Sequence, residues 1–124
     1  ACSTNVKGWL GMAGALTRSA PARWMNETIA AEEIVATADS FVALTGLASQ
    51  GLGRAVLPCC LGDREEALCR LDTPGDIASV PIWVACHQEM LGVARIAAVK
   101  RFLVEGLAAR AAVLAGLVTP TVES

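Results

Sequence analysis

Five cysteines and a single histidine are the residues of this chain best suited to hold a metal or act as a nucleophile with its base. Cys59, Cys60, Cys69, Cys86 and His87 could together form a zinc site in principle. Structural zinc sites draw their ligands from closely spaced pairs such as C-x-x-C, and no such pair occurs here. Cys59-Cys60 and Cys86-His87 are immediate neighbours, and an extended backbone sends neighbouring side chains to opposite faces. A nucleophile must lie within hydrogen-bond reach of its base, so the same geometry argues against Cys86 with His87. Spacing leaves Cys59 with His87 open, but nothing marks that pair. Small buried thiols and a strand-end histidine are the plainer reading, with no metal and no catalytic residue expected. An odd cysteine count fits reduced thiols in a cytosolic protein better than an evenly paired secreted scaffold.

The stretch "LASQGLGRAVLP" raises phosphate binding, because it carries two glycines one residue apart. A dinucleotide fingerprint needs G-x-G-x-x-G after a strand and opening a helix. Here Gly51 and Gly53 follow a helical pattern and open a strand, and the third position is Val56. A helix C-terminus carries partial negative charge and repels phosphate. The pair is a turn, and no cofactor is expected. The acidic pairs Glu32-Glu33, Glu65-Glu66 and Asp72/Asp76 lie in stretches that read as solvated surface. The sequon at Asn26 has meaning only in a secreted protein. Trp9, Trp24 and Trp83 read as core or interface anchors before ligand platforms.

One position remains where chemistry and local structure meet. The "EIVATA" strand delivers Thr37, Asp39, Ser40 and Phe41 to the start of a helix. In α/β sheets ligands settle outside the carboxyl ends of strands, near helix N-termini. Free N–H groups and the Ser40 hydroxyl there suit a small anionic or polar ligand. Ser40 or Asp39 serving only as a helix cap is an equal alternative.

The elements that would position these residues follow from local signals. Residues 6–10, "VKGWL", read as a short strand, and "RSAPARWMNE" as a helix capped by Ser19 with Pro21 in its first turn. "EIVATA" (33–38) is a strand, followed by a helix to about Gln50 with Phe41, Leu44 and Ala48 on one face. Gly51 takes the left-handed position after that helix. "RAVL", "LCRLD" and "VPIWVACH" read as further strands, with Pro58 ending the first and "TPGD" forming a turn. A near-continuous apolar run such as the last belongs in a sheet covered on both faces. From about Gly92 a long helix carries the stripe Ile96, Val99, Leu103, Leu107. "TPTVES" is expected to fray. This order is α/β, with mostly parallel pairing.

At 124 residues and 54% hydrophobic content, the chain fits one domain with a buried core, or a piece of a larger one. It opens on Ala1 rather than Met, which reads as part of a longer protein. No apolar run reaches the roughly 20 residues of a membrane helix, and no secretory leader is recognisable. A net charge of −2 with scattered basic residues gives no face for nucleic-acid phosphates.

The ordered set "LASQGLGRAVLP", "L.RL", "VPIWVACH" and "ARIAAVKRFLVEGL" resembles the C-terminal part of the effector-binding domain of LysR-type transcriptional regulators. "GWLGMAGALTRSAPARWMNE" resembles one branch of that family. The likeness spans roughly residues 5–110. It implies a type II periplasmic-binding-protein-like (Rossmann-like), three-layer α/β fold that is incomplete here. Residues 1–79 would be most of the second regulatory subdomain, 80–116 the return strand and helix of the first, and 117–124 a flexible tail. The function implied is ligand sensing by a cytoplasmic, non-enzymatic regulator. A small-molecule effector would lie against Asp39, Ser40 and Phe41, and also Pro58 and Cys59. DNA would be met only through an absent N-terminal domain, with no membrane partner. Self-association is expected through the helix 41–50 and the exposed edge of strand 80–87, because an unpaired apolar edge invites another chain. Arg54 departs from the small apolar residue usual in the family. Half of a solute-binding protein, or a small α/β enzyme with a Cys/His site, are the alternatives.

Overall fold

The structure is a computed structural model that describes residues 5–72, 75 and 77–118. Strand β1 (Trp9–Met12) and strand β2 (Ile34–Ala38) form a parallel pair, with Leu10 opposite Ala36 and Met12 opposite Ala38. The first strand starts later than the sequence pattern suggests, because Gly8 takes a φ of +89° and breaks the extended run before Trp9. Arg54 adds a single parallel bridge on Trp9: its carbonyl accepts from the Leu10 amide at 2.8 Å, and its amide donates to the Gly8 carbonyl at 2.9 Å. The "RAVL" segment thus joins the sheet at one residue only.

Helix α1 (Ala20–Thr28) is capped by Ser19, whose Oγ accepts from the Ala22 amide at 3.3 Å, and Pro21 sits in its first turn. Helix α2 (Phe41–Ser49) is capped by Ser40. Both starts are where the sequence puts them. Helix α2 ends in a Schellman motif: the Gly51 amide donates to Ala48 and the Leu52 amide to Leu47, at 2.8 and 3.2 Å. The motif needs a left-handed residue at its turn, and Gly51 supplies it with φ of +77°. The glycine pair is therefore the corner of a helix-to-strand turn, with Gly53 buried so that a Cβ would lie 3.1 Å from the Leu10 side chain.

Consecutive residues of β1 serve two helices. Trp9 meets Trp24 of α1 edge-on, with ring centroids 5.9 Å apart. Leu10 is fully buried with Leu44 and Ala48 of α2, and Phe41, Ala36 and Leu57 pack against that cluster. The stripe Phe41–Leu44–Ala48 faces the sheet as its spacing predicts. This α/β arrangement with a small parallel sheet is compatible with the expected fold class but incomplete.

The second half of the chain differs. Helix α3 (Cys59–Gly62) is one turn, α4 (Ala94–Ala109) runs for 16 residues, and α5 (Ala111–Leu114) is again one turn. The strands expected at 68–72 and 80–87 form no ladder among the described residues. Their composition suits a covered strand, but among the described residues no strand pairs with them. Residues 80–87 are exposed throughout, Trp83 at 83%, and α4 buries none of its residues. A compact protein of 12.8 kDa exposes about 6,300 Å², whereas this chain exposes 9223 Å². Most of the turn expected at 73–76, and the tail from 119, lie outside the described residues.

Candidate functional site

The parallel pairing brings the carboxyl ends of β1, β2 and the Arg54–Leu57 segment to one end of the sheet. At that end, the chain leaves β2 through Asp39 and turns into α2. Ser40 has extended φ and ψ of −139° and 146°, and its Oγ accepts from the Ala43 amide at 3.1 Å. Its carbonyl accepts from Leu44 at 3.0 Å. The capping role considered for Ser40 is thus real, and the residue is exposed. The amides of Phe41 and Val42 have no hydrogen-bond partner among the described residues, as expected for the first turn of a helix. These are the donors an anion would find.

Asp39 is exposed beside the loop that follows β1, where a Cβ on Gly14 would lie 3.2 Å from that of Asp39. The loop is held there by the Ala13 amide, which donates to Ala38 at 2.8 Å. Phe41 is half-buried against Leu10, Leu44 and Ala48, so its ring belongs mainly to the core. Thr37 is exposed on β2.

Pro58 and Cys59 stand after the third parallel segment. The Pro58 carbonyl starts α3, accepting from Leu61 and Gly62 at 2.9 and 3.1 Å. Cys59 is half-buried under the turn that follows α5. The five expected residues therefore share one end of the sheet, but none of them lines either of two open grooves that lie elsewhere. One, of about 420 Å³, is lined by Lys7, Glu32, Glu33, Val35 and Arg54. The other, of about 470 Å³, lies between α2 and α3 and includes Val42, Thr45, Leu61 and Arg64.

A residue network near Cys59 escaped the sequence reading. Arg70 donates from Nε and Nη2 to the two carboxylate oxygens of Asp63, at 2.7 and 2.5 Å, and from Nη1 to the Gly116 carbonyl at 2.7 Å. The Arg70 hydrogen bonds hold the Asp63 carboxyl below its ordinary range, and Asp63 in turn pushes Arg70 upward. Asp63 and Arg70 are only seven positions apart, but Gly116 is 46 from Arg70. No local pattern announces that third partner.

Other expectations resolve plainly. Arg54 lies over the Trp9 ring, 5.9 Å from its centroid, and its Nε donates to the Val6 carbonyl at 3.1 Å. That accounts for a basic residue at a position where a small apolar one was expected. Trp9 and Trp24 are packing partners, whereas Trp83 is exposed. His87 is exposed, and its Nδ1 accepts from the Glu89 amide at 3.4 Å. Cys59, Cys60 and Cys86 are free thiols, but Cys69 is disulfide-bonded, contrary to the reduced-thiol expectation. Counting cysteines cannot tell which of them the fold brings within bonding reach. Among the described residues no group of three or more His, Cys, Asp or Glu could hold a metal ion. No helix among them is long and apolar enough to cross a membrane.

Comparison with known proteins gives one match. The family model for the LysR substrate binding domain covers residues 9–108. No curated protein and no solved structure matches the chain.

Proposed function

The chain belongs to the LysR substrate-binding domain family, a ligand-sensing domain of transcriptional regulators, and from that premise we propose how this chain performs the role. A small anionic or polar effector binds at the carboxyl end of the parallel strands, against Asp39, Ser40 and Phe41 from one side and Pro58 and Cys59 from the other. The single observation that carries this reading is the junction at Ser40. There a parallel strand ends, a nine-residue helix begins, and two first-turn amides stand unpartnered beside an exposed hydroxyl.

Residues 1–79 then make most of the second regulatory subdomain, and 80–116 the return strand and helix of the first. The bare surface of 80–87 and of α4 is what such a division would leave. The chain itself reacts with nothing covalently. It works in the cytoplasm, and DNA recognition belongs to an N-terminal domain outside it. Self-association uses α2 and the exposed apolar segment 80–87, which forms no strand in this chain alone, since unpaired backbone and apolar side chains are a template for another chain.

Thermal unfolding with a panel of small mono- and dicarboxylates tests the effector assignment. At least one carboxylate should raise the melting temperature, and Ser40→Ala should lose that increment relative to its own ligand-free baseline. An undiminished increment in Ser40→Ala would remove this junction from the site.

A further inference from the structure

We propose that the turn at residues 111–116 is a removable strap over the Pro58–Cys59 corner, latched by Arg70, which must lift before a carboxylate-bearing molecule reaches that corner. The ligand clause rests on the effector site proposed above; the strap itself does not.

Three contacts build it. Helix α5 ends in a Schellman motif, with the Gly116 amide donating to Val113 at 3.0 Å and that of Leu117 to Ala112 at 2.9 Å. Gly116 accordingly has φ of +72°, and a Cβ placed on it would lie 2.5 Å from Cys59 Sγ and 3.2 Å from Arg70 Nη2. Its backbone therefore lies directly on the thiol. The carbonyl of the same residue is held by Arg70 Nη1 at 2.7 Å. Arg70 is in turn aimed by the two-oxygen grip of Asp63, whose side chain is only 5% exposed. A fork fixed on one carboxylate keeps its remaining donor in place with little further entropy loss.

Apart from this latch the strap is held by half-buried Val113 and Leu114 and by its contact with α3. A four-residue helix is not stable alone, and neither α5 nor the preceding α4 has a buried residue. Segments with few buried contacts open at low free-energy cost. Opening would also uncover a donor of the right chemistry. The Gly116 carbonyl takes the place on Arg70 Nη1 that one oxygen of a ligand carboxylate would take, so strap and ligand compete for the same guanidinium.

Alkylation resolved by mass spectrometry tests this on the intact chain. Iodoacetate, a small carboxylate, reports on Cys59, with exposed Cys86 as the reference and neighbouring Cys60 as the control; iodoacetamide is its uncharged counterpart. Arg70→Ala removes the latch, and Gly116→Val, whose Cβ would clash with Cys59 Sγ and is strained at φ of +72°, forces the turn off the corner while keeping Arg70. Both should raise the Cys59:Cys86 rate ratio about three- to tenfold, the worth of one hydrogen bond, with Cys60:Cys86 unchanged. Gly116→Val should also prefer iodoacetate over iodoacetamide more than Arg70→Ala does. An unchanged Cys59 ratio, a rise in only one variant, equal reagent preference in the two, or Cys60 rising in step (α3 melting) would each overturn the proposal. Cys59 opening as expected while no carboxylate stabilises the protein would leave the strap standing and sink the effector assignment instead.

Discussion

Replacing Trp83 by serine should abolish self-association of this chain. Trp83 is 83% exposed in the unpaired 80–87 segment, and Phe102 on α4 is 75% exposed. Aromatic side chains carry roughly 150–250 Å², so about 120–210 Å² of Trp83 faces water. At about 25 cal/mol per Å², covering it completely is worth ~3–5 kcal/mol. Incomplete burial and side-chain ordering reduce this, and about 2 kcal/mol per copy is the usual scale for an aromatic anchor. In a two-fold dimer the substitution acts twice, so the loss is about 4 kcal/mol, or roughly a thousandfold in Kd. The chain's 9223 Å² exceeds that of a compact protein of its mass by about 2,900 Å². Sedimentation velocity from about 1 to about 200 μM brackets the relevant Kd range. The unsubstituted chain should associate within it and Trp83→Ser should remain monomeric. A chain monomeric throughout, or a variant with an unchanged Kd, would refute the reasoning.

Two further outcomes follow from the packed half of the molecule and from the latch. Leu10→Ala removes a fully buried side chain wedged between Leu44 and Ala48, and should cost about 3–5 kcal/mol in urea unfolding. A loss below about 1 kcal/mol would mean that β1 and α2 do not share a core. Asp63 has its carboxyl held down by Arg70 in the fold. Its contribution is therefore complete above the unfolded carboxyl value of about 4 and is lost as pH falls through the lower folded one. Melting temperature should fall more steeply below about pH 4 in the natural chain than in Asp63→Asn. Parallel curves would show that the pair does not stabilise the fold. Arg70, raised from an already alkaline value, adds nothing to this window.

What was legible in the sequence is what local chemistry determines. Ser19 with Pro21 two positions later, and Ser40 with Gly51 eleven positions later, bracket helices because caps act within a turn of themselves. β2 was legible from its β-branched alternation, and its junction with α2 came with it. The segments 68–72 and 80–87 were misjudged for the opposite reason. An apolar run records the environment a segment suits, whereas a ladder requires a neighbouring strand edge in register, and these segments form no ladder among the described residues. The Arg70–Gly116 contact was out of reach because its partners are 46 positions apart. The Trp9–Arg54 stacking joins residues almost as distant, and only the departure from the expected small residue hinted at it.

The two halves of the chain place the ligand reading on different physical footings. Among the described residues the buried apolar ones are Leu10, Ala22, Met25, Leu44, Ala48 and Val56, all within the first 56 positions, with half-buried Leu57 and Leu68 packed against the Leu10 cluster. A sequence that is 54% hydrophobic has far more apolar surface than those six absorb, and the surplus is concentrated on residues 80–87 and α4. The Ser40 junction stands on the packed side, where its geometry is fixed by Leu44 and Ala48 immediately beneath. The Cys59 corner is closed by α5, which continues from the bare side: Arg110 ends α4 and begins α5 with no intervening residue. If the proposed interface and the proposed ligand corner both hold, they lie on one continuous stretch of backbone, and Trp83→Ser should then change the Cys59:Cys86 alkylation ratio as well as the oligomeric state.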